Sequence, residues 1–164
     1  MRKNDYLEII KYHANDILES EGMNKEKKFI QHGTVSVYEH SVNVAIECLK
    51  IIDYLNIPVD IKSLIRGSLL HDYFLYDWHV PDKSHNWHGF IHANIALKNA
   101  EKDFELNEIE KNMIKCHMFP LNIRIPKYRE GIILCIADKI VATKETLEPY
   151  IIKLSKIKTI FSNS

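Results

Sequence analysis

Residues 128–143 read YREGIILCIADKIVAT, with apolar side chains at Ile132, Ile133, Leu134, Ile136, Ala137, Ile140 and Val141. Set on a 3.6-residue period, these positions cover almost every side of a helix, so the spacing predicts a central helix from Tyr128 to about Thr143. One residue does not belong in such a run. Asp138 has Leu134, Cys135, Val141 and Ala142 as its neighbours at three and four residues' distance. A carboxylate on that face costs several kcal/mol to desolvate unless something neutralises it, which leaves two readings, a buried ion pair with Lys or Arg or a metal ligand.

Outward from this helix the helical period continues. Leu7, Ile10, Ala14, Ile17 and Leu18 share a face over residues 5–21, and Gly22 reads as a stop. Lys25 to Lys28 reads as a solvated turn. Ser36 and Glu39 form a capping-box pattern ahead of a helix to about Asn56, Pro58 ends it, and Asp60 caps a third helix to about Asp72. Residues 73–87, with Tyr73, Tyr76, Trp78 and Trp87, read as a long aromatic loop, the kind of segment that walls a site. The period returns from His88 to about Phe104. Asn107 and Glu110 open a helix reaching His117, and Pro120 and Pro126 bracket an irregular piece. A last helix spans about Leu147 to Phe161 with Pro149 in its first turn. Its Tyr150, Ile151, Leu154 and Ile157 either cap the core or pair with a second copy as a homodimer. No stretch alternates with period two. The expectation is one all-α domain over residues 1–164, a compact bundle of six or seven helices.

Composition narrows the function. Hydrophobic residues make up 46% of the 164 and charged residues 27%, so the chain is ordered and globular. Lys+Arg and Asp+Glu balance at 22 each, which leaves no basic field for a nucleic acid duplex. The longest apolar run, Ile132 to Ala137, is too short for a membrane span, and the opening residues lack a secretory apolar core. Cys48, Cys116 and Cys135 show no CxxC spacing and read as reduced thiols of a cytoplasmic protein.

The nine histidines are the unusual feature. His40, the His71-Asp72 pair, His88 with His92, His117 and Asp138 each fall on a different helix or helix end, and a bundle can bring such positions to one point. Gly67 and Ser68, one turn before His71, leave room for another backbone. Imidazoles and carboxylates without a thiolate are an N/O donor set suited to Fe, Mn, Zn, Co or Ni. His88 and His92 sit four apart on one face. His13 reads as a surface residue and His32 as a turn residue, with contact to the site, through its closeness to His40 in sequence, as the alternative. His79 and His85 read as loop residues, with proton transfer, or ligation of a third ion together with Asp77, as the alternative.

The order His40, His71-Asp72, Asp138 resembles the ligand pattern of the HD-domain superfamily of metal-dependent phosphohydrolases. His92 and His117 resemble the additions of its two-metal branch. The similarity spans about residues 30–145. It implies an all-α bundle, a first metal on His40, His71, Asp72 and Asp138, and a second on His92 and His117 with Asp72 bridging. His92 is favoured over His88 because Ala96 follows it by four, as a small residue does in that branch, leaving His88 as alternative ligand or substrate contact. The chain lacks the Gly-Tyr-Pro signature of cyclic-di-GMP-degrading members, and Phe74-Leu75 stand where dinucleoside-polyphosphate-cleaving members carry lysine. The activity implied is hydrolysis of a small phosphoester or nucleotide, with hydroxide from metal-activated water attacking phosphorus. His71, Asp72 and Lys139 then serve catalysis, while Arg66, Lys115 and His88 are placed to receive substrate. Two alternatives share the scaffold: a di-iron oxygenase, and a non-catalytic module that senses a nucleotide or metal.

Overall fold

The computed structural model describes residues 2–80 and 88–162, with side chains described as far as residue 152 apart from that of His88. Pro81 to Trp87, including His85, therefore lie outside the described residues, as do the side chains of Leu154 and Ile157. Seven helices are described: α1 (Lys3–Leu18), α2 (Glu21–Glu26), α3 (Val37–Leu55), α4 (Ile61–Leu70), α5 (His88–Asp103), α6 (Glu108–Cys116) and α7 (Arg129–Ser162). The bundle is all-α apart from one small antiparallel hairpin of β1 (Ile30–His32) and β2 (Val35–Ser36). Gly33 turns this hairpin with φ +58°, a conformation open to glycine at little steric cost.

The helix starts follow local chemistry. Ser36 accepts from the Glu39 amide at 3.2 Å while the Glu39 carboxylate accepts from the Ser36 amide at 2.9 Å. Asn107 and Glu110 repeat the reciprocal arrangement, both bonds 2.9 Å long. Asp60 caps α4 through the Ser63 amide at 2.7 Å. Each pairing satisfies amides that an α-helix leaves without internal partners.

The core lies between α3, α4 and the helices that flank them. One half gathers Ile10, Ile17, Leu49, Ile65, Leu69 and Tyr73, the other Val44, Leu64, Met113, Leu134 and Val141. Gly67 packs α4 on α6: a Cβ there would meet Met113 Sδ at 2.6 Å, so the small residues before His71 do admit a neighbouring helix.

Four expectations need correction. Gly22 does not stop a helix; it lies inside α2, pressed on Tyr73, with no room for a Cβ. Residues 25–28 are not simply a solvated turn, because Glu26 is fully buried. The helix over 128–143 is not buried all round, since Ile132 is 51% and Ile136 48% exposed. It also does not end near Thr143 but runs on to Ser162 with Pro149 inside. Proline breaks a helix by removing a donor and crowding the preceding turn, yet here the chain continues through it. Among the described residues no helix is long and apolar enough to cross a membrane.

Candidate metal centre

His71 and His117 occupy equivalent places on different helices. Each is the C-cap residue of its helix, α4 and α6 respectively. Each turns its Nδ1 back on the carbonyl three residues earlier, His71 on Ser68 O at 2.7 Å and His117 on Ile114 O at 2.8 Å. A carbonyl only accepts, so Nδ1 carries the proton in both rings. One bond thus satisfies an otherwise orphaned helix-end carbonyl and fixes the tautomer that directs an Nε2 lone pair inward. His40 reaches the same point from α3, with Nδ1 on the Glu145 carboxylate at 2.8 Å. The rings of His40, His71, His117 and His92 follow one another with centroids 5.4, 5.0 and 4.9 Å apart.

Asp72 sits in the middle of this row. Its Oδ2 lies 3.4 Å from His71 Nε2 and 3.8 Å from His40 Nε2. Its Oδ1 faces the other side, 3.3 Å from His92 Nε2 and 3.4 Å from His117 Nε2. Asp138 enters from α7, with Oδ1 3.2 Å from His40 Nε2 and 3.8 Å from His71 Nε2. Among the described residues its ion-pair partners are these imidazoles and not a lysine or arginine. Two groups of donor atoms result, His40-His71-Asp72 and Asp72-His92-His117, each with its atoms within 4.8 Å of one another and every residue buried.

The electrostatics calls for positive charge at both groups. His71 Nε2 and Asp72 Oδ1 are buried with no hydrogen-bond partner among the described residues, and a buried polar atom left unmatched costs about 1–3 kcal/mol. His92 and His117 bring their Nε2 atoms within 2.9 Å of each other beside that same oxygen. Imidazole lone pairs and carboxylate oxygens crowded in this way repel unless a proton or a metal cation lies between them. The residues therefore fit divalent metal: His40, His71 and Asp72 form one donor group, with Asp138 beside it, and Asp72, His92 and His117 form the other.

Without a metal the charges lean on protons. Burial works against a charged His40, but the Asp138 and Glu145 hydrogen bonds outweigh it and push its pKa up to about 10. Burial opposes ionisation of Asp72 and Asp138, yet neighbouring imidazolium charge and hydrogen bonds hold both below the usual carboxylate range. Burial holds His117 below its ordinary value, which favours the neutral, ligating ring. Buried Cys48 and Cys135 are pushed up to about 12 and 11, mainly by desolvation, so neither offers a thiolate.

The remaining candidates are placed elsewhere. Arg66 is buried with its Nη1 donating to both carboxylate oxygens of Asp16, each at 2.8 Å, and its Nε faces Glu110 at 3.2 Å. This pairing, and not the donor cluster, occupies its guanidinium. Lys115 is exposed on α6. Lys139 donates to the carbonyls of Cys135 and His117 at 3.2 and 3.4 Å, across the end of α6. His79 is exposed and meets Asp77 at 3.3 Å. His92, not His88, is the α5 histidine whose position beside Asp72 is described.

Several participants were not anticipated from the sequence. Glu145 orients His40 and also accepts from Asn43 at 3.0 Å. It lies seven residues, two turns, beyond Asp138 and so on the same face, a relation hidden by ending that helix at Thr143. Gln31 on β1 donates to Asp72 Oδ2 at 2.5 Å, and nothing in its local sequence signals this. His32, for which contact with the site was the alternative to a turn role, is half-buried and sets its ring edge-on to His40 with centroids 5.4 Å apart. Glu26 is buried, and burial followed by the charge of Asp72 raises its pKa well above normal.

No curated protein and no solved structure matches the chain. The model of the HD domain does match, over residues 37–143, a span that runs from the first turn of α3, ahead of His40, to just past Asp138 and takes in every one of the six clustered donors. With its helical bundle and its His-Asp cluster, the chain belongs to the HD-domain family, in general a family of metal-dependent hydrolases.

Proposed function

We propose that this chain is a metal-dependent phosphohydrolase acting on a small phosphoester or nucleotide, with two divalent transition-metal ions. One observation carries the reading: a single buried carboxylate, Asp72, directs one oxygen to each of two imidazole groups while no lysine or arginine among the described residues neutralises it. Ions held there supply Lewis acidity, which acidifies water and offsets charge on phosphoryl oxygens. The protein's own contribution is positional. His40, His71 and His117 are locked in orientation by Glu145 and two helix-end carbonyls, so the donor set keeps its geometry without reorganising. His71 and Asp72 carry catalysis by holding the site together. Lys139, next in sequence to Asp138, remains the cation proposed to meet a phosphoryl group, for which it would have to leave the Cys135 and His117 carbonyls. The balanced net charge suits a small substrate better than a duplex, and three unpaired cysteines suit the cytoplasm.

The test is a panel of phosphomonoesters, cyclic nucleotides and dinucleoside polyphosphates, each offered anaerobically with Mn, Co, Ni, Zn or Fe(II), with phosphate release measured. Release that persists without dioxygen and disappears in Asp72→Ala is the expected result. Dioxygen consumption without phosphate release would place the chain with oxygenases. Tight nucleotide binding with no turnover under any of the metals would make it a sensor.

A further inference from the structure

Asp72 Oδ2 and Oδ1 are not equivalent. Oδ2 accepts a 2.5 Å hydrogen bond from Gln31 Nε2, whereas Oδ1 has no hydrogen-bond partner among the described residues. The Gln31 amide is itself held from the other end, since its Oε1 accepts from Trp78 Nε1 at 3.2 Å. An indole N–H only donates, so it obliges the amide oxygen to face Trp78 and turns the amide NH2 toward Asp72. Gln31 is 93% buried, at 7% exposure, on the short strand β1. Strand β1 pairs with β2, whose Ser36 caps α3 and so leads directly into the helix bearing His40. Trp78 in turn stacks on His79 with ring centroids 3.9 Å apart, in the segment that follows the His71-Asp72 pair.

We infer that Gln31 is the positioning residue of the bridging carboxylate, with Trp78 fixing the direction of its amide. Resting on the two-cation reading above, this assigns a task to two residues outside the donor set. A carboxylate serves two ions only while its plane keeps one oxygen on each side. Asp72 lies at a helix end, just past the C-cap residue of α4, with backbone on one side only. The Gln31 amide holds Oδ2 on the His40-His71 side, which leaves Oδ1 for His92 and His117. It also draws electron density from Oδ2 alone, so the two positions differ in affinity. Without it Asp72 can rotate toward the His40-His71 position, and the His92-His117 position then loses its only carboxylate.

Co(II) titration of the purified full chain tests this, following d–d absorption together with bound cobalt per chain after gel filtration. Gln31→Leu keeps the side chain's approximate bulk and removes both bonds. The expected result is a second Co(II) affinity weakened about 10–100-fold, the usual effect of losing a group that orients a ligand, with the first changed far less. Trp78→Phe keeps a ring and removes the N–H. It should shift the same second binding step, in the same direction and by less. The double variant should be no weaker than Gln31→Leu alone, because Trp78 acts through Gln31. Circular dichroism melting should separate the variants from wild type by no more than a few degrees; should Gln31→Leu fail to fold, Trp78→Phe decides alone. Wild-type affinities in both single variants, or additive losses in the double, would overturn the inference while leaving the metal centre standing. Wild type and Asp72→Ala that bind equally little cobalt would overturn the metal reading, and the role of Gln31 with it.

Discussion

At His40 a proton does what a cation would do. Its two ring nitrogens face Glu145 and Asp138, both acceptors, and the ring stays protonated up to a pKa of about 10. Metal binding must displace that proton, because a ligating nitrogen needs its lone pair. Below pH 10 each ion bound at this position therefore releases one proton, and its apparent affinity should rise about tenfold per pH unit between pH 6 and 9. Calorimetry in buffers of different ionisation enthalpy checks the proton count. Glu145→Gln keeps the contact but removes a charge that favours the proton, so it should reduce the proton release at neutral pH. Glu26 obeys the opposite economy of charge. Its folded pKa is raised, chiefly by burial, so it binds a proton in the native state over a pH range where the unfolded chain does not. Its contribution to stability is complete below about pH 4.5 and is lost as pH rises through the folded value. Glu26→Gln should consequently be the more stable protein at pH 8, by about 1–3 kcal/mol, with the difference closing toward pH 4.5. Urea denaturation at the two pH values measures it.

Helix ends, more than helix faces, build the centre. The C-cap positions of α4 and α6 supply His71 and His117, and the residue after the first supplies Asp72. Those ends were legible because Asp60 and Asn107 signal where α4 and α6 begin, while the aromatic loop after Asp72 and Pro120 after His117 mark where they stop. The capping box at Ser36 placed α3 and hence His40 correctly. What stayed hidden has a physical reason. The continuity of α7 past Thr143 depends on tertiary packing that overrides Pro149, and Glu145 became visible as the partner of His40 only through it. The β1–β2 hairpin is too short for its alternation to be read, so Gln31 went unplaced and His32 passed for a turn residue. Helix α2 was missed because Gly22 resembles a terminator. Its real constraint is spatial: a Cβ there would lie 1.5 Å from Tyr73 Oη and 2.2 Å from Cζ. Gly22→Ala should therefore cost about 1–3 kcal/mol, break the 2.9 Å Tyr73–Asp103 bond and disturb Asp72 next door. Gly67→Ala meets mainly the flexible end of Met113 and should cost less. Thermal melts of the two variants compare them directly.

For the molecule as a whole, the cluster is where the bundle's packing is least self-sufficient. Three helices, α3, α5 and α7, together with the ends of α4 and α6, converge on buried imidazoles and carboxylates that repel without positive charge between them. A ligand that binds the folded chain alone adds RT ln(1 + [L]/Kd) to stability, about 2.7 kcal/mol at one hundred times Kd. For a domain of this length that is a rise of about 5–10 °C in Tm, reversed by a chelator, and differential scanning calorimetry with and without Mn or Co reads it. Donor count per chain is the sharper quantity. Elemental analysis of wild type, His117→Ala and Asp72→Ala, loaded identically and desalted, tests the bridging role of Asp72 most directly. The account predicts about two ions per chain for wild type, about one for His117→Ala and close to none for Asp72→Ala. Equal metal content in all three proteins would contradict it.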